Sequence, residues 1–113
     1  MGYVPERGDL VWLTFQPQVG HEQSGRRPAV VVSPAAYNGR VGLALLCPVT
    51  THVKEYPFEV RIPDEKSVQG VILVDHLISL DWRAREAEYI DRVAPDTMSE
   101  IVAKIQALIE DDV

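Results

Sequence analysis

The chain holds a single cysteine, Cys47, so no intrachain disulfide can form. It contains no apolar run near the roughly 18 residues needed to span a bilayer. Its longest apolar stretches, residues 42–49 and 71–74, are far shorter. The start, Met1-Gly2-Tyr3-Val4-Pro5-Glu6, has no basic stretch followed by an apolar block, so no secretory leader is expected. His21, His52 and His76 stand far apart, and none has a Cys or His neighbour at metal-ligand spacing. There is no Walker loop and no dinucleotide-type glycine fingerprint. The expectation is a cytoplasmic protein without metal or cofactor. Cys47, set in an apolar strand, reads as an inert buried thiol.

What is present fits one small domain over residues 1–113. Hydrophobic residues make up 46% and charged residues 25%, the balance of a globular protein rather than a disordered one. Net charge is -6, which argues mildly against a nucleic-acid partner. The distribution softens that argument, because residues 1–61 carry +1 and residues 62–113 carry -7. A grip on long duplex DNA by charge alone is excluded by this balance. An enzyme that needs a few well-placed arginines is not.

The pattern along the chain is mainly β. Residues 10–15 alternate with apolar side chains on both faces and read as a buried strand. Residues 16–27, with Pro17, Gly20, Ser24 and Gly25, form a connection long enough to suggest function. Further strands are expected at 28–33, 42–49, 58–62, 71–75 and 77–82, with a turn through Asn38-Gly39. Residues 84–92 fit either a short strand or a polar helical turn. Met98, Ile101, Val102, Ile105, Leu108 and Ile109 fall on one face of a C-terminal helix. That helix starts either at a Thr97-x-x-Glu100 capping box or with Pro95 in its first turn. A small SH3-like barrel closed by one helix accounts for all of this.

The most informative cluster is Gly20-His21-Glu22-Gln23-Ser24-Gly25-Arg26-Arg27-Pro28, where a long loop meets a strand. Pro28 fixes the backbone beside Arg27, and a guanidinium held there can bind a phosphate with two hydrogen bonds. A surface arginine pairing with Glu22 is the plainer alternative. The run from Glu22 through Val31, then Ser33-Pro34 and Tyr37-Asn38, resembles the N-terminal signature of the MazF/PemK-like toxins. Cys47-Pro48-Val49-Thr50-Thr51, then Tyr56-Pro57-Phe58-Glu59-Val60, then Asp75-His76 with Asp81-Trp82-Arg83-Ala84-Arg85, are similar to later blocks of that family in the same order. The resemblance spans residues 3–109.

That resemblance implies the CcdB/PemK-like form of the SH3-like barrel, a homodimer, and the toxin of a type II toxin–antitoxin system. It implies sequence-specific, metal-independent cleavage of single-stranded RNA, blocked by a MazE-like antitoxin. The family's catalytic arginine falls on Arg27, its threonine on Thr50 and its loop glutamate on Glu22. The chemistry is plausible on its own terms. A fixed cation stabilises charge on a phosphorane, a threonine hydroxyl can bond a non-bridging oxygen, and a carboxylate can accept the 2'-hydroxyl proton. His21 is also placed to titrate near neutrality, though a solvent-facing loop histidine is the plainer reading. Position 76 is histidine where relatives often carry glutamine.

Gln23, Arg26, Tyr37, Tyr56, Arg83 and Arg85 are the candidate RNA contacts. Arg83 and Arg85 are expected to alternate on one strand face, and Tyr37 and Tyr56 sit at loops where a base could stack. Trp12 and Trp82 read as core or interface aromatics. Two other functions remain open. One is a non-catalytic CcdB-like gyrase inhibitor, whose partner contact uses an aromatic near its end; this chain ends Glu110-Asp111-Asp112-Val113. The other is a plain RNA- or peptide-binding SH3-like module.

Overall fold

The computed structural model describes residues 2–15, 25–63 and 66–110. The described strands are β1 (Asp9–Phe15), β2 (Gly25–Val31), β3 (Ala44–Thr50), β4 (Glu59–Arg61), β5 (Val71–Leu73), β6 (Ile78–Leu80) and β7 (Glu88–Arg92). Helix α1 (Ala35–Val41) joins β2 to β3, and helix α2 (Pro95–Ile109) closes the chain. The strands form one antiparallel seven-stranded sheet in the order β4-β5-β3-β2-β1-β7, with β6 also paired to β3. Strand β3 is shared three ways. Its first half pairs β6, its last two residues pair β5, and its other edge pairs β2.

Strand alternation splits the core in two. On one face Leu10, Val30, Cys47, Val49, Val60 and Ile72 pack with Ile101, and Met98 and Ile105 of α2 lie against them. On the other, Val11, Leu13, Ala29, Val31, Leu46, Leu80 and Trp82 form a second cluster. The first part of the helix stripe, Met98, Ile101 and Ile105, is therefore the lid of the first cluster, while Leu108 and Ile109, expected on the same buried face, are exposed at the end of the helix. Helix α2 begins with Pro95 after Ala94, and no side chain caps it, so the proline start is the one adopted. Thr97 is buried instead.

Four local expectations change. Asn38-Gly39 is helical, not a hairpin turn, because the Asn38 side chain is drawn inward. Its Nδ2 donates to the Pro5 and Ser33 carbonyls, and Oδ1 accepts from the Ser33 hydroxyl. Gly42, at φ 85°, then ends the helix in a left-handed conformation that suits glycine. The strand expected to reach residue 75 stops at Leu73 and turns into one 3-10 turn, Val74–His76. Residues 82–86 form a turn, so Arg83 and Arg85 do not alternate on a strand face. β1 is not buried throughout either. Trp12 is 36% exposed, opposite Pro28 and Glu88.

Candidate active site

Two prolines open the site. β2 and β3 pair through Val31↔Leu46, Val30↔Cys47 and Ala29↔Pro48, and there the ladder ends. Pro28 has no N–H to extend it toward β3, and Pro48 has none for the opposite edge of β3. Beyond them the strands part, and a cleft of about 200 Å³ opens, lined by Arg26, Arg27, Pro28, Val49, Thr50, Thr51 and Gln69. Continuing the β2–β3 register past its last pair brings Arg27 level with Thr50. The loop–strand junction and the Pro-x-Thr block, 23 positions apart in sequence, thus meet at one opening.

Thr50 is fixed from both sides. Its hydroxyl oxygen accepts the His52 amide at 3.1 Å, which leaves the hydroxyl proton to be donated elsewhere. Its backbone pairs with Val71 of β5. Arg27 is partly buried and sits opposite Leu13 of β1, on the face of the second core cluster. Adjacent Arg26 turns to the other face. Its guanidinium donates to the Thr14 hydroxyl at 2.8 Å and to the Glu86 carbonyl at 2.7 Å, and it pairs with the Glu88 carboxylate at 3.3 Å. The two neighbouring arginines are therefore unlike. Arg26 is bound into a network with β1 and β7, while Arg27 shares the opening with Thr50.

Glu22 and Gln23 lie outside the described residues, as does His21. The remaining candidates do not line the cleft. Tyr37 is exposed on α1. Tyr56 donates to the Asp75 carboxylate at 2.5 Å, and that bond, ahead of burial, pushes its phenol up to about 12. Arg83 stacks over the Trp82 ring, 4.9 Å from its centroid. Arg85 donates to the Thr14 carbonyl at 3.4 Å. Trp82 is buried, with its indole N–H on the Asn38 carbonyl, as a core aromatic should be. Cys47 is buried in the first cluster, and desolvation raises its thiol to about 12, the state of an unreactive sulfur. Among the described residues no group of three His, Cys, Asp or Glu side chains is arranged to hold a metal ion. No helix among them is long and apolar enough to cross a membrane.

The sequence profile of the PemK-like, MazF-like toxins of type II toxin–antitoxin systems matches residues 6–109. The chain belongs to this family. It is 49% identical over 107 residues to the endoribonuclease toxin MazF of Escherichia coli K12, covering 95% of this chain and 96% of that protein. It is 37% identical to the endoribonuclease toxin ChpB of the same strain, covering 93% and 94%. Its fold superposes on crystal structures of Deinococcus radiodurans MazF at a TM-score of 0.88 and of a MazE–MazF form at 0.89. Identity is 55% in both, with 96% of this chain covered and 98% and 97% of those chains respectively. The chain is thus a MazF-like endoribonuclease toxin with the CcdB/PemK-like fold.

Two residues of the site were not singled out in the sequence. Gln69 and Gly70 sit in a stretch with no motif of its own, between a polar loop and a three-residue strand. Gly70 has φ 124°, and a Cβ on it would lie 2.2 Å from the Thr50 carbonyl oxygen. The signal available was a lone glycine at a strand entry, which marks a bulge or a close backbone approach.

Proposed function

We propose that this MazF-like toxin cuts single-stranded RNA at a short recurring sequence, without a metal, through the Arg27–Thr50 cleft. The observation that carries the reading is the meeting of Arg27 and Thr50 where the β2–β3 ladder ends. The substrate's own 2'-hydroxyl attacks the adjacent phosphorus, the P–O5' bond breaks, the departing O5' takes a proton from solvent water, and the products are a 2',3'-cyclic phosphate and a 5'-hydroxyl. Arg27 compensates the charge that builds on the phosphorane, and the Thr50 hydroxyl donates to a non-bridging oxygen. Arginine keeps its proton, so it cannot be the base. Glu22 takes the proton from the 2'-hydroxyl, and Gln23, next to it in sequence, contacts the RNA. Arg26, already tied to Glu88, lines the cleft rim. Tyr37, Tyr56, Arg83 and Arg85 contact flanking nucleotides and not the reacting phosphate.

The toxin acts in the cytoplasm as a homodimer and is held inactive by a MazE-like antitoxin that covers the RNA site. The MazE–MazF crystal form from Deinococcus radiodurans supports that pairing. Purified protein in EDTA should cut a long synthetic RNA at one recurring short sequence and leave 5'-hydroxyl ends. Failure of the folded protein to cut several RNAs would overturn the reading, and inhibition of DNA supercoiling would then favour the gyrase-inhibitor alternative. Antitoxin at saturation should slow amide exchange over residues 16–27. Unchanged exchange there would contradict blocking at this site.

A further inference from the structure

The cleft contains more than a phosphate grip. Arg27 and Thr50 supply a cation and a hydroxyl, both suited to phosphate oxygens. Gln69 supplies something different, a neutral carboxamide that can donate and accept at once. Such a group can donate to a phosphate oxygen, but only a base edge uses its donor and its acceptor together. Unstacked bases in single-stranded RNA are read in that way, on their Watson–Crick and Hoogsteen edges.

The backbone around Gln69 is built to deliver it. Val68 is buried in the first core cluster, Gln69 is exposed, and Gly70 lies against the Thr50–Thr51 backbone. A Cβ at position 70 would meet the Thr50 carbonyl oxygen at 2.2 Å, the Thr50 carbonyl carbon at 2.9 Å and the Thr51 Cα at 3.3 Å. Only a glycine at φ 124° lets the chain approach this closely. One residue further, β5 pairs Val71 with Thr50. The same few atoms therefore set the height of Thr50 and the place where Gln69 emerges. The Gln69 Nε2 donates to the Lys66 carbonyl at 3.3 Å, a bond within the turn that carries it.

Resting on the endonuclease reading above, we propose that Gln69 is a specificity-determining residue that reads the edge of the nucleobase beside the scissile phosphate, with Gly70 as its positioning residue. The test is fragment-end mapping on a randomised RNA pool with the wild type, Gln69→Leu and Gln69→Glu, in the full-length protein. Leucine is one bond shorter but of similar bulk, and it removes both hydrogen-bonding functions. It should relax the base preference at one position of the motif and lower kcat/KM on the best sequence by about tenfold to a hundredfold. Cutting of sequences already disfavoured at that position should change little. Glutamate replaces the donor with an acceptor, so the preference at that same position should shift toward bases that present a donor there. Position 69 is exposed, so both variants should keep the wild-type melting temperature.

The outcomes separate. If the wild type cuts at a motif, Arg27→Ala does not cut, and both Gln69 variants keep the wild-type preference at every position, this inference is overturned and the endonuclease reading stands. If the wild type cuts no RNA, both are overturned. A preference altered at one position, with the other positions intact, supports the assignment.

Discussion

Two of the openings among the described residues, each with an arginine at the sheet, differ in what surrounds it. The larger, about 290 Å³, is lined by Gly2, Tyr3, Trp82, Arg83, Glu86 and Ala87. Three of its side chains are engaged within the fold. The Trp82 indole donates to Asn38, Arg83 lies over the indole ring, and the Tyr3 phenol donates to the buried Asp9 carboxylate. Asp9 also takes Arg92 at 2.7 Å and the Glu6 amide at 3.0 Å. That opening is the seam where the N-terminal segment is fastened to the sheet. The smaller, about 200 Å³, sits at a break in the sheet and gathers two guanidinium groups, two hydroxyls and a carboxamide. Volume does not separate a seam from a site here; the chemistry of the groups that reach the opening does.

The sharpest way to break this comparison is to remove the arginine from each. Arg27→Ala should lower the cleavage rate by about two to three orders of magnitude, the usual effect of deleting one transition-state donor, with an unchanged melting temperature. Arg83→Ala should leave kcat intact and raise KM slightly. Equal loss of kcat in the two variants would erase the distinction. Next in size, Trp82→Ala should destabilise the fold by about 3–5 kcal/mol in urea titration, because it empties a core position and removes one of the two hydrogen bonds to the Asn38 carbonyl. Single-turnover cleavage by the folded fraction should be nearly normal.

Gly70→Ala should lower kcat by about a hundredfold through displacement of the Thr50 backbone. KM should change much less. A normal kcat would show that Thr50 tolerates the shift.

The smallest effect belongs to the seam. Glu6 is held below the usual carboxylate range, first by the Ala35 amide and then by the Arg7 amide. A carboxylate with a lowered folded-state pKa adds stability above its unfolded value of about 4.3, and that gain is lost as pH falls through the folded value. Glu6→Gln should therefore melt slightly below wild type at pH 7, with the gap closing below about pH 4. RNA cleavage should be unaffected.

The legibility of the sequence follows the same division. The strands with strong alternation and the first part of the α2 stripe are legible because each rests on a local pattern, whereas the Arg27 and Thr50 blocks stand out only through their resemblance to the family. Asn38 was misread as a turn residue because its partners, Pro5 and Ser33, are brought to it only by the fold. Arg83 and Arg85 were misplaced for a related reason. Asp81 draws the chain into a turn, its carbonyl accepting the Arg85 amide and its carboxylate the Ala84 amide, and neither bond leaves a periodic trace. Gln69 was missed because its importance comes from a register between β3 and β5 and from the bare Cα of its neighbour.

The central claim is that Arg27 and Thr50 act together on one phosphate, and a double-mutant cycle tests it most directly. Single-turnover cleavage rates would be measured in EDTA for the wild type, Arg27→Ala, Thr50→Val and the double variant. Joint action predicts that the double variant is scarcely slower than Arg27→Ala alone, because groups that serve one transition state are strongly non-additive. Rate losses that simply multiply, or an Arg27→Ala protein that cuts at the wild-type rate, would contradict it.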